Sequence, residues 1–307
     1  MTTRSLTQQE ALDLVIGAKI LANGGGGSEQ QSIDVINKVY DKDRPFKIAD
    51  LSDFQKEDQI CIIGSVGGGI TKEEKKLVAN LKVVQKEPMI EAVRQLEKFM
   101  RVNFQAFVAT ELGPYNSIVP LMVASLMEGK VAIDGDCCGR SKPKISISTT
   151  AVGGISITPF SIVSPFGDKL IVNSTFDDGR GEFLARTISR VSNGSIAVAR
   201  CPMNIEEAKK VVIPGTLSLA IKLGKNIREA KEKGSDPIKE IKKILSDSYI
   251  VFTGKVKTFT RKEEGGFTSG EIVLEATDET KLELKIFYQN EYLLTWLNNK
   301  PFITCPD

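Results

Sequence analysis

A buried apolar run that ends in glycines and leads directly into a helix-capping signal constrains this chain more than any other feature. Residues 58–70 read DQICIIGSVGGGI, a short strand feeding a tight loop, and Thr71-Lys-Glu-Glu74 behind it is a capping box. The same order returns downstream. FQAFVATELG (104–113) is a second buried strand ending in a loop, and Asn116 or Ser117 then starts a helix through Met127. KVAIDGD (130–136) is a third strand. Strand, loop and helix in alternation predict an α/β layer structure with a mostly parallel sheet. In such a sheet ligands bind beyond the carboxyl ends of the strands. That nominates three loops, 64–69, 111–117 and 134–140.

The N-terminal stretch fits the same architecture. Thr7 and Glu10 form a capping box, and Ala11, Leu14, Val15, Ala18, Leu21 and Ala22 follow helical spacing. Asn23-Gly24 would stop that helix, and Ser28 would cap a second one over about 28–40. The NGGGGS segment therefore joins two helices, and one glycine is enough to stop a helix. After Lys144 the texture changes to alternating β-branched residues, with further strands at 145–164 and 169–176 and helices near 181–192, 205–210 and 216–233. From about 248 the chain reads almost wholly β, as a small antiparallel sheet or partial barrel packed on the α/β body. The expected division is an N-terminal α/β domain over 1–165 and a C-terminal α+β domain over 166–307.

Composition enters by exclusion. The 307 residues contain no histidine, which removes Ser-His-Asp and Cys-His machinery and every histidine-ligated metal site. A general base must then be a carboxylate, a lysine, a tyrosine, a thiolate or a bound water. The formal charge is +2 with the cations dispersed, so nothing argues for nucleic acid. No apolar run approaches the ~20 residues of a membrane span, and MTTRSLTQQE lacks a signal-peptide core. A cytoplasmic protein is expected, with Cys61, Cys137, Cys138, Cys201 and Cys305 as reduced thiols. A homo-oligomer stays open.

Two constellations stand out. Gly67-Gly68-Gly69 precedes a capped helix and offers backbone amides to an anion or a carbonyl oxygen, or it is a tight strand-to-helix turn. In AIDGDCCGR, Asp134 and Asp136 share a face if the strand reaches 136. Two such carboxylates either bind a divalent cation (Mg²⁺ or Mn²⁺) or raise one pKa to make an acid–base group. Arg140 would neutralise them or grip a substrate; the alternative is a Gly-Asp turn with a surface ion pair. Asn116 is a helix cap or a ligand contact. Asn290-Glu291, a polar pair in an apolar strand context, marks a turn or needs partners.

Taken together, ILANGGGGS, ELGPYNSIVPLMVA (111–124), AIDGDCCGRSKPKI (132–145), IPGTLSLAIKLG (213–224) and GFTSGEIVLE…IFYQNEYLL (266–294) resemble the S-methyl thiohydantoin desulfurase family, whose members are associated with hydantoinase/oxoprolinase enzymes. The resemblance covers nearly the whole chain. It implies site roles for Gly24, Gly25, Gly26, Gly27, Glu111, Asn116, Asp134, Asp136, Gly139, Arg140, Asn290 and Glu291. The sequence departs from the family pattern at Pro114-Tyr115, Cys137-Cys138 and Lys144, and family members continue past the point matching Cys305-Pro306-Asp307.

The expected function is hydrolysis of a hydantoin or S-methyl-thiohydantoin-like cyclic amide. Asp134 or Asp136 would be the base, directly or through a divalent cation, and Arg140 with the amides of Gly67 and Gly68 would stabilise negative charge. Glu111 and Asn116 would orient the substrate or ligate the metal. The alternative is a non-catalytic binding or assembly subunit of a hydantoinase/oxoprolinase-type partner.

Overall fold

The computed structural model describes residues 3–304, so Cys305 and the end of the last expected strand lie outside the described residues. Thr7 caps the first helix, Gln8–Leu21. Its hydroxyl accepts from the Glu10 amide and the Glu10 carboxylate accepts from the Thr7 amide, the reciprocal pairing of a capping box. The helix ends at Ala22, Asn23 and Gly24 turn left-handed (φ 53° and 93°), and Ser28 caps Glu29–Tyr40. The glycines therefore join two capped helices.

A nine-stranded sheet forms the body of the molecule. Its centre is parallel, with Lys47–Ala49, Val131–Asp136, Phe104–Ala109 and Gln59–Gly67 side by side. Antiparallel strands extend it on both sides: Thr3–Ser5 beyond Lys47–Ala49, then Ser195–Asn204, Phe160–Val163 and Lys169–Val172 beyond Gln59–Gly67. The short Ile213–Pro214 pairs with the end of Val131–Asp136. Ser195–Asn204 lies in the same sheet as the first-half strands, so the sheet continues across residue 165. Only Phe160–Val163 of the β-branched 145–164 stretch is strand, and Thr149–Val152 is a short helix whose start Ser148 caps.

Pro88–Met100 and Ile118–Leu126 cover one face, burying Val93, Leu96, Val119 and Val123 against Phe107 and Ile63. Pro88 occupies the first turn of its helix, where a missing N–H costs nothing. Helix Lys72–Val78 follows its Thr71 cap, and the strands before the loops stop at Gly67 and Ala109.

The second sheet is antiparallel and separate. It consists of Gly254–Phe259, Lys262–Glu264, Phe267–Ala276, Glu283–Gln289, Glu291–Leu297 and Lys300–Thr304. It is an open sheet attached to the α/β body. No helix among the described residues is long and apolar enough to cross a membrane.

Candidate functional site

The three parallel strands Gln59–Gly67, Phe104–Ala109 and Val131–Asp136 end on one edge of the sheet, and the first two deliver their loops to a cavity of about 780 Å³. Gly67 and Gly68 line it from the first strand, Thr110, Glu111 and Asn116 from the second. Lys142 and Pro143 enter from the segment that follows the third. Gly24, Gly25, Gly26 and Gly27 close one side, and Thr268, Tyr288, Asn290, Glu291 and Tyr292 of the small sheet close another. The cavity thus lies between the parallel-strand edge and the antiparallel sheet, where an α/β architecture places a ligand.

Two carboxylates dominate its chemistry. Glu111 is buried; its Oε1 accepts from Asn116 Nδ2 at 2.6 Å and its Oε2 from the Lys142 amide at 3.0 Å. Burial raises its pKa, while Lys142 and Asn116 pull the other way. Glu291 is 3% exposed, and its Oε2 has no hydrogen-bond partner among the described residues. Burial, reinforced by the negative charge of Glu111, pushes the Glu291 carboxyl up to about 8 against the opposing pull of Arg140 and Arg186. Two buried carboxyls that repel each other hold one proton more readily than none. Glu291 therefore favours its protonated form at neutral pH, and one of its oxygens is buried without a hydrogen-bond partner among the described residues.

The glycine segment fits against these groups because it has no side chains. A Cβ on Gly25 would stand 2.0 Å from Glu291 Oε1, and one on Gly26 would stand 2.3 Å from the Gly113 Cα. Gly26 also accepts from the amides of Tyr115 and Asn116 through its carbonyl (3.0 and 3.1 Å), which ties the segment to the Glu111 loop. Asn23 fixes the other end: its carbonyl accepts from the Tyr292 amide at 3.0 Å and its Nδ2 donates to the Tyr292 carbonyl at 3.1 Å. Asn290 is left-handed (φ 62°) at the corner between two strands, and its Oδ1 accepts from the Thr268 amide at 2.9 Å. That corner aims Glu291 at the glycines.

Asp134, Asp136, Gly139 and Arg140 are not among the residues lining this cavity. The strand does reach Asp136, and both aspartates face the start of helix Thr216–Glu232. Asp134 accepts from the Ser218 amide (3.0 Å) and the Ser218 hydroxyl (2.6 Å), capping a helix whose own cap residue is Gly215. Asp136 is fully buried, and its Oδ1 accepts from the amides of Cys138 and Gly139, both at 2.6 Å. Burial raises its pKa; the Gly139 amide, the Thr216 hydroxyl and the Cys138 amide oppose it. Arg140 donates from Nε to the Ser141 carbonyl and from Nη2 to the Tyr292 carbonyl, so it ties the 137–141 loop to the small sheet beside Glu291.

As a cation site the aspartate pair fits poorly. Both oxygens of Asp134 and one of Asp136 already accept hydrogen bonds from the chain. Among the described residues no three His, Cys, Asp or Glu side chains gather as metal ligands. Cys137 and Cys138 carry no activated thiol: burial raises both, Cys137 to about 12.

Among the cavity residues not singled out in the sequence are Thr110, Lys142 and Arg186. Thr110 and Lys142 pair across the loops, with Lys142 Nζ donating to the Thr110 carbonyl at 2.6 Å. Arg186 donates to the carbonyls of Gly67, Pro143 and Gly266, pairs with Glu182 at 2.8 Å, and stacks on Phe267 at 3.9 Å. The only local signal was the spacing of Glu182 and Arg186, four residues apart on one helix.

Comparison with known proteins agrees with this architecture. The family model described as S-Me-THD-like, N-terminal domain, matches residues 9–174, and S-Me-THD-like, C-terminal domain, matches residues 177–307. A crystal structure of a protein from Chromobacterium violaceum is similar to the whole chain, with a TM-score of 0.74 and 21% identity over 100% of this chain and 81% of that one. At that identity the likeness concerns the fold alone. No curated protein matches the chain.

Proposed function

We propose that this chain, which belongs to the S-methyl thiohydantoin desulfurase-like family, is a hydrolase of a hydantoin or S-methyl-thiohydantoin-like ring in which Glu291 and Glu111 form the acid–base pair. The observation that carries the proposal is the pair itself: two buried carboxyls in one cavity, one raised to about 8 with an unpartnered oxygen, the other held by Asn116 and the Lys142 amide. Environments that push two carboxyls apart in pKa separate an acid from a base.

On an S-methylated ring, water adds to the carbon that bears sulfur. A C–O bond forms, the C–S bond breaks, and methanethiol leaves with one proton while the ring keeps a carbonyl. Glu111 takes one proton from the attacking water and Glu291 gives its proton to the departing sulfur; the water's second proton ends on the ring nitrogen as the carbonyl forms, and transfer of the Glu111 proton to Glu291 restores the pair. Backbone amides of the glycine loops stabilise charge that develops on the ring. Arg140 is a positioning residue here, acting through Tyr292 and the field it exerts on Glu291. Asp134 and Asp136 hold the strand end and the following loop, and no step is routed through a metal.

The test is turnover on a panel of hydantoins and S-methyl-thiohydantoins, followed by methanethiol release and ring opening. Glu291→Gln and Glu111→Gln should each lower kcat by about 10²–10⁴-fold with the fold retained. Wild-type turnover in both variants overturns the acid–base assignment. Absence of turnover on every ring, together with co-purification of a hydantoinase/oxoprolinase-type enzyme, would replace it with the binding-subunit reading.

A further inference from the structure

A second cavity, of about 520 Å³, adjoins the first: Gly27, Ser65 and Ser195 line both. Its walls differ in character. Val35, Val39, Met122, Leu126, Ile196 and Ala197 supply an apolar surface. Its charged lining residues, Lys38, Lys42, Lys86 and Glu87, are all exposed, so charge stays at the rim and the apolar side chains lie below it. One wall is fixed by the chain itself, because the amides of Val84 and Gln85 both donate to the Pro165 carbonyl (3.0 and 3.1 Å) beside Val83 and Lys86.

Cavities of roughly 300–1,000 Å³ are the size that buries a drug-sized ligand. A five-membered ring beside Glu111 and Glu291 leaves the second cavity unfilled, and although Gln31, Tyr115, Ser192 and Asn193 add polar groups to its lining, the Val35, Val39, Met122, Leu126, Ile196 and Ala197 wall offers an apolar surface. We infer that the second cavity binds an apolar alkyl or aryl chain of medium length. On the reading proposed above, on which this part rests, that chain is the substituent of the ring whose reacting carbon sits in the first cavity, and it passes between Gly27, Ser65 and Ser195. A Cβ on Gly27 would stand 2.6 Å from the Tyr115 Cβ, so glycine lets the segment pack directly on Tyr115 where the two cavities adjoin.

The experiment titrates the full chain by calorimetry with unsubstituted hydantoin, with hydantoins bearing methyl, propyl and pentyl groups, and with 1-octanol as a chain without a ring. Affinity should rise about fourfold for each methylene buried. Val35→Trp and Leu126→Trp, at half-buried helix positions outside the first cavity, should each fill the second cavity, remove the gain with chain length and leave unsubstituted hydantoin binding as in wild type. Two blocking variants guard against a folding defect in one of them, checked by thermal melts. No gain with chain length together with no octanol binding overturns the inference, as does a gain that both blocking variants preserve. Octanol binding that both variants weaken, in a protein that binds no hydantoin at all, upholds the chain site and overturns the ring-hydrolase reading instead.

Discussion

At the scale of single residues, the consequences concentrate on Glu291. In the folded chain it keeps its proton up to about pH 8, whereas a free glutamate gives it up near 4.5. Between those values the unfolded state binds fewer protons than the folded one, so stability falls as the pH rises from about 4.5 to about 8 and levels off beyond. Glu111 is raised in the same direction and adds to the same slope. Glu291→Gln cannot titrate. Denaturant unfolding across pH 5 to 9 should therefore show the variant gaining on wild type by a few kcal/mol toward the alkaline end. A constant difference would mean that Glu291 is ionised throughout. The same proton governs turnover if Glu291 is the acid: kcat/KM should fall as pH passes about 8, and that limb should vanish in the variant. Glu111 and Glu291 repel each other, so the limb belongs to the pair, and Glu111→Gln should move it to lower pH.

At the scale of elements, two adjacent glycines of the segment respond differently to the same substitution. Gly26 is left-handed (φ 81°) and its Cβ would meet backbone at Gly113, which cannot move aside. Gly25 has no such φ, and its Cβ would meet the far end of the Glu291 side chain. Gly26→Ala should cost at least the ~1–3 kcal/mol of a forced left-handed residue and lower Tm accordingly. Gly25→Ala should spare most of the stability and shift the pH limb of turnover, because it displaces Glu291. Equal losses of stability would make both positions purely structural. The aspartates are separated by the same kind of experiment. Asp134→Ala removes the cap at Ser218 and should cost about 1 kcal/mol, with turnover lowered no further than the folded fraction. The capping boxes at Thr7 and Thr71, the glycine junction and the strand-loop-helix order were legible because each depends on residues within one turn or one strand. Strand parity likewise put Asp134 and Asp136 on one face. It carried no information about what stands on that face, because Thr216 and Ser218 arrive from eighty residues away. Lys142, Arg186 and the closeness of Glu111 to Glu291 were illegible for the same reason: each depends on where a distant loop or sheet comes to rest.

At the scale of the whole molecule, the question is what holds the small sheet against the cavity. The three buried apolar clusters draw on residues up to Ile221, and among the described residues none comes from the small sheet. Its attachment is polar instead. One tie runs from Asn23 and Arg140 to Tyr292. The other is Arg186, whose guanidinium reaches Gly67 on the large sheet, Pro143 in the cavity wall and Gly266 at the start of the Phe267–Ala276 strand. Glu182, 5% exposed, balances its charge and also accepts from the Ser146 amide and hydroxyl. Removing the arginine leaves that carboxylate buried without its cation, a loss of about 3–5 kcal/mol. Arg186→Leu should therefore destabilise strongly. Arg186→Lys should rescue little, since an ammonium cannot reproduce the planar fork that serves three carbonyls. The Glu182→Gln, Arg186→Leu double variant should recover part of the loss, because no buried charge remains unpaired. Hydrogen exchange tells whether the effect is an attachment or a general one. Amides of Phe267–Ala276 and Glu283–Gln289 should lose protection before those of Gln59–Gly67 and Phe104–Ala109, and hydantoin binding should weaken in step with them. Protection lost evenly over both sheets would mean that Arg186 supports the α/β body as a whole, and the small sheet would then need another anchor.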